Sequence, residues 1–134
     1  MGPKVVSYKD LVVWQKSMAL VTEVYRATLG FPREEIFGLM SQTRRAAVSV
    51  PSNIAEGHAR TSKKEFQYFL SNARGSLAEL ETQLTIAHQL AYINDKTINL
   101  VLDKLWEVGR LLNGLLSSLK RSSKPNPYPL TPNP

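Results

Sequence analysis

The chain has 134 residues, 43% of them hydrophobic and none of them cysteine, with a formal net charge of +6. That length holds one ordinary domain, and the apolar fraction is enough to build a core, so wholesale disorder is excluded. The missing cysteines remove disulfides, thiolate metal sites and cysteine nucleophiles together, and the basic surplus favours a polyanion partner such as nucleic acid.

No apolar run approaches the roughly 18–20 residues of a membrane span, and the first ten residues lack the apolar centre of a signal peptide. The expectation is a cytoplasmic protein with no membrane contact. Residues 1–9 read as an N-terminal extension, 10–121 as the folded unit and 122–134 as a disordered tail. That tail holds five prolines in thirteen residues, a composition that stays extended.

A first helix is expected over 10–28. Leu11, Trp14, Met18, Val21 and Tyr25 recur at steps of three and four, which places them on one face. Gly30, Phe31 and Pro32 stop it. A second helix is expected from about Arg33, with Glu34 and Glu35 in its first turn, where the helix dipole favours acids. Its apolar positions run through Ile36, Leu39, Met40, Ala47, Val50 and Ile54. Pro51 falls inside the pattern and predicts a kink rather than a reversal, since the stripe resumes after it. Small side chains at Ala46, Ala47, Ser49 and Ser52 let a neighbouring helix come close, and the helix is expected to end at Gly57 or in a ragged final turn reaching Arg60.

The third helix opens with Ser62 and Glu65 spaced as a capping box. Behind it Phe66, Leu70, Ala73, Leu77, Leu80, Leu84, Ala87 and Ala91 form a heptad seam. Gly75 interrupts it at a cost of about 1 kcal/mol, for which close helix packing is the expected reason. The fourth helix is capped by Asn94 or Asp95 and carries Ile98, Leu102, Leu105, Gly109, Leu112, Leu116 and Leu119. Lys120 and Arg121 close it on the favourable side of the dipole. Four such helices with short connections make an all-α, antiparallel up-down four-helix bundle.

Two helices carry apolar residues beyond their seams. Val13, Leu20 and Val24 flank the first seam, and Val101, Val108 and Leu115 flank the last. A broad core would absorb them; burial between subunits is the expectation favoured here, giving a homo-oligomer with closed symmetry.

No catalytic, metal or cofactor site is legible. His58 and His88 are the two histidines, and neither follows a glutamate by three residues as a di-iron bundle site would require. No His-x-x-x-His pair, phosphate loop or catalytic triad presents itself. His88 reads as an interfacial or rim residue and His58 as a solvated helix end. The expectation is a protein that is not an enzyme.

Basic residues remain. Arg60, Lys63 and Lys64 cluster where the second helix gives way to the third, beside a helix N-terminus suited to phosphate. Arg110, Lys120, Arg121 and Lys124 form a second group, and Arg45 stands alone. Arg44 and Arg74 are expected instead to pair with Glu56, Glu79 or Glu81 between helices, where a planar guanidinium grips a carboxylate. No base-reading motif is present, so phosphate or shape recognition is the expected mode.

These residues also carry a resemblance. Tyr8-Lys9-Asp10-Leu11-Val12-Val13-Trp14-Gln15-Lys16, Phe31-Pro32 with Glu35, Gln42-Thr43-Arg44-Arg45-Ala46, Ser49-Val50-Pro51-Ser52-Asn53-Ile54-Ala55-Glu56-Gly57, and Phe69-Leu70 with Ala73-Arg74-Gly75-Ser76 and Glu79-Leu80 resemble the four-helix-bundle proteins encoded in intervening sequences of bacterial 23S ribosomal RNA genes. The likeness spans about residues 8–120 and leaves out the proline-rich tail. It implies a bundle, with Pro51, Asn53 and Gly57 shaping the second helix. That family is similar to the accessory variability protein of diversity-generating retroelements. The relation implies a pentameric ring, a basic nucleic-acid-binding surface and a reverse transcriptase as partner.

Overall fold

The computed structural model describes residues 7–121; the N-terminal residues before Ser7 and the tail at 122–134, including Lys124, lie outside the described residues. Four α-helices follow in chain order: α1 (Val12–Thr28), α2 (Leu39–His58), α3 (Lys63–Gln89) and α4 (Asp95–Arg121). Each packs on two neighbours, α4 returning to α1, and the diagonal pairs stay apart. The all-α up-down bundle is therefore the observed architecture. The α1 start, the α2–α3 turn and the α4 end share one end of it. The α1–α2 and α3–α4 connections share the other.

Before α1, a 3-10 turn at Tyr8–Asp10 carries a capping box that sequence reading missed. Ser7 Oγ accepts from Lys9 N–H at 3.2 Å, and Asp10 Oδ2 accepts from Ser7 N–H at 3.2 Å. The core face of α1 is Val13, Ser17, Leu20, Val24 and Thr28. This corrects the expected seam by one position around the helix. Leu11, Trp14 and Val21 are half-buried flanks, and Met18 and Tyr25 are exposed. The true face was masked because two of its members are polar. Ser17 and Thr28 can be buried because each hydroxyl donates to a backbone carbonyl, of Trp14 at 2.8 Å and of Val24 at 2.9 Å.

The same correction removes the surplus stripes. Val13, Leu20 and Val24 are core, as are Val101 and Val108 beside Ile98, Leu105, Leu112 and Leu116; Leu115 is half-buried against them. One chain buries Val13, Leu20, Val24, Val101 and Val108 in its own core, so these five offer nothing to a second copy.

Residues Arg33–Glu35 form a 3-10 turn, and α2 starts later than expected, at Leu39. Glu35 explains the delay. Its Oε1 accepts from Leu39 N–H at 3.0 Å, satisfying a donor at the helix start, while Oε2 accepts from the Tyr92 hydroxyl at 3.2 Å. Half-buried packing of the Tyr92 ring, then the hydrogen bond to Glu35 and its negative charge, push that phenol above its ordinary pKa. Phe31 is buried next to it, ring centroids 5.5 Å apart. One carboxylate thus ties the α1–α2 connection to the α3–α4 turn.

Helix α2 continues through the buried Pro51 without reversing, as expected. Gly57 does not stop it. It lies in the last turn, where a Cβ would sit 2.7 Å from Phe69 Cβ and 3.0 Å from Phe66 Cδ1, so glycine lets α2 and α3 close up. Gly75, expected to serve close packing, has nothing within 4 Å of a Cβ and faces open space.

Helix α3 is capped by Ser62, whose Oγ accepts from Glu65 N–H at 3.1 Å and whose hydroxyl also meets Glu65 Oε1 at 3.3 Å. It ends before Ala91, which belongs to the turn and is exposed instead of continuing the seam. Ala91 adopts φ 62°, with Ala91 N–H bonded to His88 O and Tyr92 N–H to Ala87 O, a Schellman closure. Asn94 caps α4 through Thr97 N–H at 2.8 Å, as expected.

Candidate nucleic-acid interface

Antiparallel packing brings α3's first turns beside α4's last ones, and this unites basic residues far apart in sequence. Lys63 and Lys64 open α3, Lys120 and Arg121 close α4, and all four are exposed at the same end of the bundle. Lys120 shares a hollow with Gln67, Tyr68, Ser71, Arg74 and Leu116, which fixes the junction between the two groups. Arg60 joins them from the α2–α3 turn, though its guanidinium is engaged: it pairs with Glu56 at 2.8 Å and Glu65 at 4.0 Å, and stacks 4.9 Å from the Phe69 ring centroid. Its first role is to hold the turn that presents the two lysines.

Arg110 does not belong to that end. It lies about 15 Å up α4, ten residues from Lys120 at 1.5 Å each, and lines a second hollow with Arg74, Leu77, Ala78, Glu81, Leu105, Trp106, Gly109 and Asn113. Arg74 lines both hollows, which follow one another along the groove between α3 and α4 with Arg74 between them. Arg74 also fails the expected pairing with a glutamate; its Nη1 donates to Asn113 Oδ1 at 3.3 Å, across the same groove. Two aromatic residues open into the groove, Tyr68 at 62% exposure and Trp106 at 45%. Sequence reading passed over both. The signal was there in their spacing, Tyr68–Ser71–Arg74–Ala78–Glu81 on one face of α3 and Trp106–Arg110–Asn113 on the facing side of α4.

Arg45 stands apart on the outer side of α2. Its Nη2 donates to Ser41 Oγ at 2.9 Å, and it shares hollows with Phe37 and Glu79.

The motif residues of α2 prove to be internal fastenings. Arg44 pairs with no glutamate: its Nε donates to Thr28 Oγ1 at 2.8 Å, an Nη to Tyr25 O at 3.3 Å, and its guanidinium covers the Tyr25 ring at 4.5 Å. It clamps α2 to the end of α1. Ser49 and Ser76 share a hydrogen bond between α2 and α3, and Asn53 Nδ2 donates to Ser49 O at 2.8 Å. Glu56 is used by Arg60, and Glu81 by the Trp106 indole N–H at 3.2 Å. Glu79 is exposed beside Arg45's hollow.

His88 lies at the rim, as expected, with Nε2 2.6 Å from Asp95 Oδ1. His58 is the last residue of α2, half-buried with its ring edge-on to Phe66. Among the described residues no cluster of three or more His, Cys, Asp or Glu could hold a metal ion, and no helix is long and apolar enough to cross a membrane.

A family model described as 23S rRNA-intervening sequence protein matches residues 9–114. No curated protein matches the chain. A crystal structure of a protein of unknown function from the S23 ribosomal protein family, from Bacteroides thetaiotaomicron VPI-5482, is similar at a TM-score of 0.71 and 22% identity. That likeness covers 78% of this chain and 98% of the other, and it supports the four-helix fold. Four helices in this order, fastened along α2 by the residues the family model spans, place the chain in the 23S rRNA-intervening sequence protein family.

Proposed function

We propose that this is a non-catalytic accessory protein that binds nucleic acid through phosphate contacts and works as a homo-oligomer. The observation that carries the reading is the convergence of Lys63, Lys64, Lys120 and Arg121 at one end of the bundle. Exposed ammonium and guanidinium groups gathered at one end suit a polyanion backbone, and several copies would add their contacts.

Fluorescence anisotropy with structured RNA and duplex DNA across a salt titration tests it. Affinity should fall steeply with salt, by about 0.7–0.9 logarithmic units per decade of salt for each phosphate contact. Reversing Lys64, Lys120 and Arg121 to glutamate should shrink that slope. Absence of binding at low salt sinks the proposal.

A second reading has its own observation. Phe37 is 96% exposed and lines one hollow with the exposed Tyr25, Ile36 and Val48. Such a patch is a docking surface for protein. Under this reading the chain is an interaction module, with a reverse transcriptase the partner its family relation implies, and the basic charge is incidental. Stoichiometric recovery of one protein after nuclease treatment, abolished by Phe37→Asp, would favour it.

A further inference from the structure

We infer that the α3–α4 groove takes single-stranded nucleic acid, with bases stacked on Trp106 and Tyr68 and phosphates held by Arg74, Arg110 and Lys120. The inference rests on the nucleic-acid reading above and adds to it the form of the polymer and the face that receives it.

Trp106 is nearly half exposed, yet it is not free to swing. Its indole N–H donates to Glu81 Oε2 at 3.2 Å across the groove, which restrains the ring while 45% of the residue stays exposed. Tyr68 makes an edge contact to the adjacent Phe69, centroids 5.3 Å apart. A ring held in place costs little entropy when a base settles on it. Between the two rings, Arg74 is held by Asn113 from the opposite helix. Arg110 and Lys120 lie on α4 at either side of Asn113 in sequence and line the groove with it. Three cations against the one carboxylate of Glu81 leave the groove positive.

The exposed rings favour one strand over two. From Trp106 to Lys120 the groove runs ~21 Å along α4. At the roughly 3.4 Å spacing of stacked nucleotides, about six fit. Only unpaired bases offer a face to an aromatic ring, because a duplex has spent its faces on its own stacking.

The test uses a 12-nucleotide mixed-sequence strand without self-pairing, as RNA and as DNA, and a blunt duplex of the same length. The chain has two tryptophans, so Trp14→Phe leaves Trp106 as the lone reporter. Single strands should quench its fluorescence and the duplex should not. Trp106→Ala should weaken single-strand binding about tenfold and leave duplex affinity unchanged, while Trp106→Phe, which keeps a ring, should retain most of it. Equal losses for RNA and DNA support stacking, which makes no use of the 2′-hydroxyl; a loss confined to RNA overturns it. Strand and duplex binding alike, both indifferent to Trp106→Ala, would leave phosphate binding standing and remove the groove from it. A Trp106→Ala protein that instead loses assembly mass, with strand preference intact, assigns this face to a second copy and overturns the inference. No binding of any polymer at low salt removes both readings together.

Discussion

Ala91 occupies a position that the backbone reserves for glycine. Its φ of 62° closes α3 in a left-handed turn, a conformation that costs an alanine about 1–2 kcal/mol. Ala91→Gly should relieve that strain and give back part of it as unfolded-state entropy, for a net gain of ~1 kcal/mol. A thermal melt should move up by a few degrees; a lower midpoint would mean that the Ala91 methyl makes a contact worth more than the strain. The sequence offered no hint of this, since an alanine four residues past Ala87 continues a helical pattern as well as it ends one. Arg44 shows the same limit. Its charge and its place on α2 were readable, but its partners are a hydroxyl, a carbonyl and a ring near the end of α1, and none of these announces itself as an acid would.

At the scale of helices, existence and order were legible, and so was the buried face of α3; the buried face of α1 was not. Apolar spacing marks an arc, and on α1 and α4 that arc is wider than one seam. Choosing the most apolar line across it missed the true face wherever a hydroxyl turned inward onto its own backbone, as Ser17 and Thr28 do. The glycines show the complementary blindness, because what a missing side chain makes room for is a property of the partner helix. Gly57 and Gly75 give a paired prediction. Gly57→Ala places a methyl 2.7 Å from Phe69 Cβ, an atom fixed to the α3 backbone, and should destabilise by about 1–3 kcal/mol despite alanine's better helix propensity. Gly75→Ala meets nothing within 4 Å and should stabilise by ~1 kcal/mol, as an exposed helical site does. Urea midpoints moving in opposite directions would confirm that close approach belongs to Gly57. A stabilised Gly57→Ala protein would show that the α2–α3 contact yields.

At the scale of the molecule, the two ends of the bundle differ in kind. One gathers Lys63, Lys64, Lys120 and Arg121, a grouping that could not be seen along the chain because folding alone brings the start of α3 to the end of α4. Near the other lies the exposed apolar patch around Phe37, and it inherits the case for self-association that the surplus stripes have lost to the core. Burying one aromatic ring removes on the order of 150 Å² of surface, worth ~4 kcal/mol at about 25 cal/mol per Å². Association costs at least as much in lost freedom, so Phe37 alone cannot hold two copies together. It can act as an anchor only if Tyr25, Ile36 and Val48 are covered along with it. Self-association through this patch predicts that sedimentation equilibrium finds a multimer for the wild type and a single chain for Phe37→Asp, with the melt of the variant bundle intact because Phe37 contributes almost nothing to the core. A wild type that is already a single chain would reserve the patch for another protein, and a Phe37→Asp multimer would move the subunit contact to a different face.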